Sequence, residues 1–288
     1  MSFGIALSGG GAKGAAHIGV LIALHENSLI PSSVSGTSMG AIVGGLYSMG
    51  YPPEKLKEII IKFSKNYKKY IDPCYGNYFM ALMQFISNSS ITLPGFIKGE
   101  KVERYLKNLT KNINISTVQM PLVIPAVDLI SGKTIVYSNV RPRINNISSN
   151  VIWKNDIPLH SAMRASSSLP AIFYPKKMNN TVLVDGGITH IIPIDLLMQT
   201  GEKNILAINI SQEYEKPKST NIFEVTTHSF ELMQNKLKNF SLGKEKFLIT
   251  PSLPKNAEML SFSRMPDFVK AGYNSTIAVM PKLKQLFS

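Results

Sequence analysis

The stretch VSGTSMGAIVGG, residues 34–45, places Ser38 between two glycines in the pattern Gly-x-Ser-x-Gly. The residues before it are typical of the end of a buried strand, and residues 39–49 are small and apolar as in a buried helix. Ser38 is therefore predicted to lie on a sharp strand-to-helix turn, where Gly36 and Gly40 relieve crowding around an exposed nucleophile. The pattern also occurs by chance, so the prediction depends on whether the chain supplies oxyanion donors and a base.

A second glycine-rich loop, SGGGAKG at residues 8–14, follows the first predicted strand and opens a helix. Its spacing matches the dinucleotide-binding fingerprint, but the end of the next strand lacks the acidic residue that would hold a ribose. No Gly-Lys-Ser or Gly-Lys-Thr triplet starts the helix, which excludes a Walker A loop. Amides at a helix N-terminus also suit an oxyanion, and we predict that Gly10, Gly11 and Met39 donate to one beside Ser38.

Asp185 is the best candidate for the base. It ends a predicted buried strand, where a carboxylate is unusual, and Gly186 and Gly187 follow it. The alternative is an aspartate that only caps the next turn. Because an ordinary aspartate has a pKa of about 3.9, Asp185 serves as a base only if it is partly desolvated and within hydrogen-bond reach of Ser38.

The histidines are weaker alternatives. His228 follows Asp185 in the order that a Ser-Asp-His triad of an α/β-hydrolase would need, but it lies in a predicted amphipathic helix, where a packed or surface histidine is commoner. His17, His25 and His160 have no motif around them. No pair of histidines has metal-ligand spacing with a supporting carboxylate, so no metal site is predicted.

The alternation of strands and helices predicts an α/β fold, with three layers, α/β/α, and a mainly parallel central sheet. A hairpin is predicted between residues 122–128 and 134–138, and residues 141–156 are predicted to be a loop. The chain has no internal repeat and no low-complexity linker, so one domain over residues 1–288 is expected, in which residues 213–288 form a C-terminal extension of helices and a strand.

The composition predicts a globular cytoplasmic protein. Of the 288 residues, 44% are hydrophobic and 17% are charged, which excludes a disordered chain. We expect no signal peptide and no transmembrane helix, because the sequence has no suitable apolar run. The single Cys74 rules out an internal disulfide and fits a reducing compartment.

The net charge of +13 calls for a partner or a compositional cause. No zinc-finger spacing, aromatic RNA-binding motif or basic heptad region is present, so nucleic acid is not a predicted partner. Two explanations stay open: a surface that faces an anionic membrane, and a general bias of the sequence towards lysine and asparagine.

The motifs SGGGAKG, GTSMG and DGG, in that order, together resemble the patatin-like phospholipase family. Residues 126–129 and 164–170 also look like bacterial members, and the resemblance covers residues 3–212. It implies a Ser-Asp dyad without metal or organic cofactor, with Ser38 as nucleophile and Asp185 as base. It also implies an oxyanion hole built by Gly9, Gly10 and Gly11. The other glycines of the motifs are Gly14, Gly36, Gly40, Gly186 and Gly187.

Lys13 and His190 lie within or beside these motifs. Lys13 stands where the family has Arg or Lys, which implies a contact with a lipid phosphate. His190 stands where the family usually has Asn after the Asp-Gly-Gly motif. The histidine either tunes Asp185 or the polar head of the substrate, or is a tolerated substitution.

The resemblance implies a hydrolase of lipid acyl esters, of the phospholipase A, lysophospholipase or carboxylesterase type, that contacts the inner face of an anionic membrane peripherally. An acyltransferase or thioesterase with the same dyad stays open, as does a lipid-surface binding protein without activity. Residues 75–98 are rich in aromatic residues and Met, and they form either a lid over the acyl chain or ordinary core.

Overall fold

The computed structural model describes residues 1–73, 94–143, 148–210, 219–220 and 222–288. Cys74 and the predicted lid at residues 75–98, apart from residues 94–98, lie outside them. The strands form one sheet in the order β5-β4-β3-β2-β1-β8-β9, with β7 paired to β3 and to β6. The described strands are β1 (Gly4–Leu7), β2 (Ser33–Gly36), β3 (Leu122–Asp128), β4 (Thr134–Ser138), β5 (Val151–Lys154), β6 (Lys176–Met178), β7 (Thr181–Asp185), β8 (Ile205–Ile208) and β9 (Phe247–Ile249).

Helices pack on both faces of this sheet, as the three-layer prediction requires. None of them, within the described ranges, is long and apolar enough to cross a membrane. The described α-helices are α1 (Ala16–Glu26), α2 (Met39–Ser48), α3 (Pro53–Tyr70), α4 (Glu100–Leu109), α5 (Leu159–Ser166), α6 (Ile194–Gln199), α7 (Ile222–Ser241), α8 (Met265–Ala278) and α9 (Met280–Phe287).

The two faces of β1 show why helices cover the sheet on both sides. Ile5 and Leu7 point into a core that includes α1, α2, α4, α5 and α8. Ala6 points the opposite way, into a second apolar cluster with Leu196 and Leu197 of α6. Since alternate residues of a strand face opposite sides, a strand that is apolar at every position needs a cover on each face.

The sheet is mainly parallel, as predicted. The central strands β2, β1, β8 and β9 run parallel to one another, and β2 is also parallel to β3. The predicted hairpin is confirmed, because β3 and β4 pair in antiparallel register around residues 129–133. The glycine-rich loops after β1 and β2 therefore lie side by side at the C-terminal ends of these parallel strands.

One edge of β3 brings two distant parts of the chain together. β2 runs parallel to β3 and pairs with its first residues, up to Ser35 opposite Val123. β7 runs antiparallel along the same edge and ends with Asp185 opposite Ala126. The C-terminal ends of β2 and β7 therefore point at each other across a short gap.

One prediction of local structure was wrong. Residues 151–154, predicted as loop, form the edge strand β5, which pairs in parallel with β4. Polar residues on both sides hid this short run, and only alternate side chains are half-buried. The C-terminal extension ends in two helices, because α8 ends at Ala278 and α9 starts at Met280 with a proline in its first turn.

Candidate active site

Ser38 lies on the predicted strand-to-helix turn. It precedes the first residue of α2 and has φ 55° and ψ −120°, a conformation that residues other than glycine rarely adopt. The approach of the turn to the helix requires glycine at position 36, because a Cβ there would collide with the backbone of Gly40. The strained backbone conformation of Ser38 costs roughly 1–3 kcal/mol and persists where the surrounding structure enforces it, as in a nucleophile elbow.

Asp185 is buried beside Ser38. Its carboxylate faces the Ser38 hydroxyl, which acts to lower its pKa, and only 1% of the residue is exposed. Burial raises the pKa of Asp185 to about 6, against the lowering effect of the Gly187 amide and of Ser38. The Gly187 amide lies 2.7 Å from Oδ1, so the carboxylate also caps the following turn. The capping role considered for Asp185 is therefore present, and the same carboxylate faces Ser38.

The glycine-rich loop offers fewer oxyanion donors than the resemblance implies. The Gly9 amide donates to the carbonyl of Ile191 at 3.0 Å, so the expectation that Gly9 donates to an oxyanion is corrected. Within the described part of the chain, no acceptor takes the amides of Gly10, Gly11 or Met39. These three amides remain as the candidate oxyanion donors.

A buried histidine braces the loop, a role that no sequence motif indicated. The Nε2 of His17, on α1, lies 2.8 Å from the carbonyl oxygen of Ser8, directly before the glycines. Burial lowers the pKa of His17 to about 4, with the Ser8 contact opposing the shift, so the ring is neutral near pH 7 and Nε2–H donates. Ser8 Oγ donates to the Gly9 carbonyl at 2.9 Å and accepts from the Ile210 amide at 2.9 Å.

Lys13 is not turned towards solvent. The residue is 7% exposed, and its Nζ lies 3.1 Å from Oε1 of Glu231 on α7. An ammonium group held in this pair is not free for a lipid phosphate, so the implied phosphate contact is corrected. The pair instead ties the loop to α7.

Helix α5 holds the nucleophile turn from the other side. The Ser38 amide donates to Oγ of Ser166, which has no exposed surface, at 3.1 Å. Two residues earlier, the buried guanidinium of Arg164 donates to the carbonyls of Gly99, Lys98 and Tyr174 and to Oγ of Ser168. The family-like sequence around Arg164 was recognised, but the hydrogen bond from the Ser38 amide to Ser166 was not predicted.

His190 does not contact Asp185 through its ring. Its Nε2 lies 3.3 Å from Oδ2 of Asp195, and its Nδ1 lies 2.9 Å from the hydroxyl of Thr189. The backbone carbonyl of His190 accepts a 2.6 Å hydrogen bond from Thr37, next to the nucleophile. The residue therefore links the Asp185 loop to the Ser38 turn through its main chain, and its ring pairs with a different carboxylate.

The other histidines are also paired elsewhere. His228 lies 3.4 Å from Glu224 on its own helix, His25 contacts the hydroxyl of Tyr47 at 2.7 Å, and His160 lies 3.8 Å from Glu103. No triad forms among the described residues. The same ranges contain no group of three His, Cys, Asp or Glu residues arranged to hold a metal ion.

An apolar cavity of about 110 Å³ extends from Ser38 between α2, α3 and α4. Gly11 and Met39, two of the candidate oxyanion donors, line it beside the serine. The rest of its wall is almost entirely aliphatic and aromatic, including Ile42, Leu46, Ile60, Phe63, Leu106, Leu169 and Phe262. A wall of this composition suits a hydrocarbon chain that is attached to a polar group at Ser38.

Comparison with known proteins agrees with the motifs. The family model for patatin-like phospholipases matches residues 5–198. An uncharacterized NTE family protein of Mycobacterium bovis is 26% identical over 207 residues, which are 72% of this chain and 48% of that protein. Lysophospholipase NTE1 of Mycosarcoma maydis is 24% identical over 73% of this chain and 10% of its own length. The chain thus spans about half the length, or less, of these two relatives.

A solved structure gives a more distant likeness. The crystal structure of VipD from Legionella pneumophila covers 98% of this chain and 67% of its own, at 15% identity and a TM-score of 0.48. The family assignment rests on the model match, which includes the loop after β1, the Ser38 turn and Asp185. The chain belongs to the patatin-like phospholipase family.

Proposed function

We propose that this protein hydrolyses carboxylic esters of lipids, with Ser38 as nucleophile and Asp185 as its base. The observation that carries the proposal is a buried carboxylate, its pKa raised to about 6, that faces a strained serine at the end of an apolar cavity. A pKa near neutrality lets one carboxyl group both accept and return a proton. Family membership and the named lysophospholipase relative support the same reaction class.

The reaction needs two steps. Ser38 Oγ attacks the ester carbonyl carbon while Asp185 takes the hydroxyl proton, and the amides of Gly10, Gly11 and Met39 hold the oxyanion. The bond to the alcohol then breaks, and Asp185 gives its proton to the leaving oxygen. In the second step Asp185 takes a proton from water, the hydroxide attacks the acyl-enzyme, and the proton returns to Ser38 as the fatty acid leaves.

The substrate class follows from the cavity. Its apolar wall accommodates an acyl chain, and its polar end holds the ester group at Ser38. These features favour a phospholipase A, lysophospholipase or carboxylesterase activity on single acyl chains. We further propose that the lipid is taken from an anionic membrane surface, in keeping with the net charge of +13.

The test is intact mass after reaction with a fluorophosphonate, in which a serine oxygen displaces fluoride from phosphorus. We expect one adduct on the wild type, none on Ser38→Ala, and strongly slowed labelling of Asp185→Asn. Asp195→Asn is the matched control, because that carboxylate pairs with His190 instead of Ser38, and its labelling rate should stay near that of the wild type. A wild type that stays unlabelled, or equal slowing in both aspartate variants, would contradict the dyad.

A further inference from the structure

Five aromatic rings form a continuous cluster between α3, α4 and the turn at Phe262. Tyr70 contacts Phe63 and Tyr105, with ring centroids 5.1 and 4.5 Å apart. Phe262 contacts Phe63 and Tyr67 at 5.9 and 5.8 Å. All five residues are partly exposed. Phe63, Tyr105 and Phe262 also line the cavity, so the cluster joins the wall of the acyl site to the surface.

The solvent-exposed side of α3 is strongly basic. From residue 59 to residue 70, α3 carries no acidic residue, while its four lysines, Lys62, Lys65, Lys68 and Lys69, are exposed. α4 adds the exposed Lys101 and Arg104. No carboxylate in the described part of the chain forms an ion pair with these six cations.

Two acidic residues near this surface, Glu103 and Asp72, are already engaged. Glu103 of α4 accepts hydrogen bonds from Lys176 at 2.6 and 2.8 Å and from the hydroxyl of Ser161. Asp72 accepts from the amides of residues 99–101 at the start of α4. The exposed Glu100 at the start of α4 offsets only part of the charge of the six cations.

We propose that this α3–α4 face, made of the five rings and the six cations, docks onto an anionic lipid bilayer. Partly exposed tyrosines suit the headgroup region, and exposed lysines on the same helix suit lipid phosphates. Since three of the rings also line the cavity, docking would place the acyl site at the membrane surface. That last step rests on the proposed function, whereas the docking itself does not.

The charge test uses Ser38→Ala protein, so that no lipid is consumed. Lys62, Lys65, Lys68 and Lys69 are all changed to Gln, and sedimentation with phosphatidylcholine vesicles is compared with sedimentation with vesicles that contain phosphatidylglycerol. Since each lysine near an anionic surface contributes about fivefold to partitioning, we expect a loss of at least about 50-fold, confined to the anionic vesicles.

The matched control removes the same charge elsewhere. The control lysines are exposed; they are Lys203, Lys244, Lys282 and Lys284. The first two precede β8 and β9, at the opposite end of the parallel strands from Ser38. Changing all four to Gln should weaken anionic vesicle binding by only a few fold. Equal losses in the two quadruple variants would overturn the docking face, and so would wild-type binding by the α3 variant.

A second variant tests the rings directly. Tyr67→Trp, in a Trp153→Phe background, places the sole tryptophan in the cluster, since the chain has one Trp. We expect blue-shifted emission on anionic vesicles and quenching by brominated acyl chains. Trp153 of the original chain lies on the distant edge strand β5 and should show neither change. Unshifted, unquenched emission from the Tyr67→Trp variant, once it is bound to vesicles, would overturn the proposal.

Turnover of a short water-soluble ester separates this inference from the proposed function. With Ser38 intact, the α3 quadruple variant should hydrolyse that ester at the wild-type rate while losing activity on anionic vesicles. An inactive wild type whose vesicle binding still requires the four lysines would contradict the function and leave the docking face standing. An active wild type whose vesicle binding does not depend on the four lysines would contradict the docking face and leave the proposed function standing.

Discussion

The backbone amide of Ser38 donates a 3.1 Å hydrogen bond to Oγ of Ser166, across 128 residues of sequence. Ser38 is held at φ 55°, and the residues after it enter α2 directly. The contact thus fixes a strained peptide from a neighbouring helix, α5. Ser166 touches no reacting atom in the proposed mechanism, so its part is to position the nucleophile.

Ser166→Ala should lower kcat while leaving KM nearly unchanged. The substitution leaves a largely buried amide without its acceptor, which costs about 1–3 kcal/mol, so we expect a loss of about 10- to 100-fold in kcat on a soluble ester. Ser161→Ala is the control on the same helix, because its hydroxyl bonds to Glu103 instead. Equal losses in both variants would indicate a general weakening of α5.

Activity should depend on the protonation of Asp185. Burial raises the pKa of this carboxyl to about 6, and only the ionised form accepts the Ser38 proton. kcat/KM on an uncharged soluble ester should therefore rise with pH through about 6 and level off above it. A rate that is highest near pH 4.5, or one that ignores pH between 5 and 7, would contradict the assignment of Asp185 as base.

The same shift predicts that Asp185 lowers stability at neutral pH. A carboxyl whose folded pKa of about 6 exceeds its unfolded value of 3.8 stabilises the fold below pH 3.8 and loses that contribution as the pH rises through 6. The full difference is about 3 kcal/mol. Asp185→Asn should therefore gain stability over the wild type by about 2 kcal/mol between pH 4.5 and pH 8, measured by urea unfolding. A stability difference that does not change with pH would contradict the raised pKa.

The local parts of the site follow from sequence, because each depends on a few neighbouring residues. Gly36 and Gly40 predict the turn that carries Ser38, and the apolar run before Asp185 predicts a strand that ends there. The meeting of these parts depends on pairing with β3, where β2 takes residues 122–123 and β7 takes residues 126–128 of the same edge. No local pattern encodes that shared edge, so the sequence singled out Ser38 and Asp185 but did not show how the strands bring them together.

The wrong expectations for Gly9 and Lys13 also arise from contacts between distant parts of the chain. Gly9 and Lys13 have the residue types that the oxyanion and phosphate roles require. Their amide and ammonium groups are taken by Ile191 and Glu231, about 180 and 218 residues further along the chain. Whether a donor is free depends on its tertiary neighbours, which residue type and spacing do not specify.

His17 provides the last prediction, since it acts on the oxyanion loop without reaching the substrate. Its Nε2–H holds the Ser8 carbonyl at 2.8 Å, and loss of this bond should let the following glycine amides turn away from the oxyanion. His17→Leu should lower kcat on a soluble ester about 10-fold, the effect of one buried hydrogen bond, and slow fluorophosphonate labelling. His17→Gln, whose amide nitrogen replaces Nε2, should restore most of the rate. The apparent pKa near 6 should stay in place in both variants, because the ring of His17 is already neutral there. Equal losses in the two variants, or a displaced pH profile, would show that His17 does more than hold the loop.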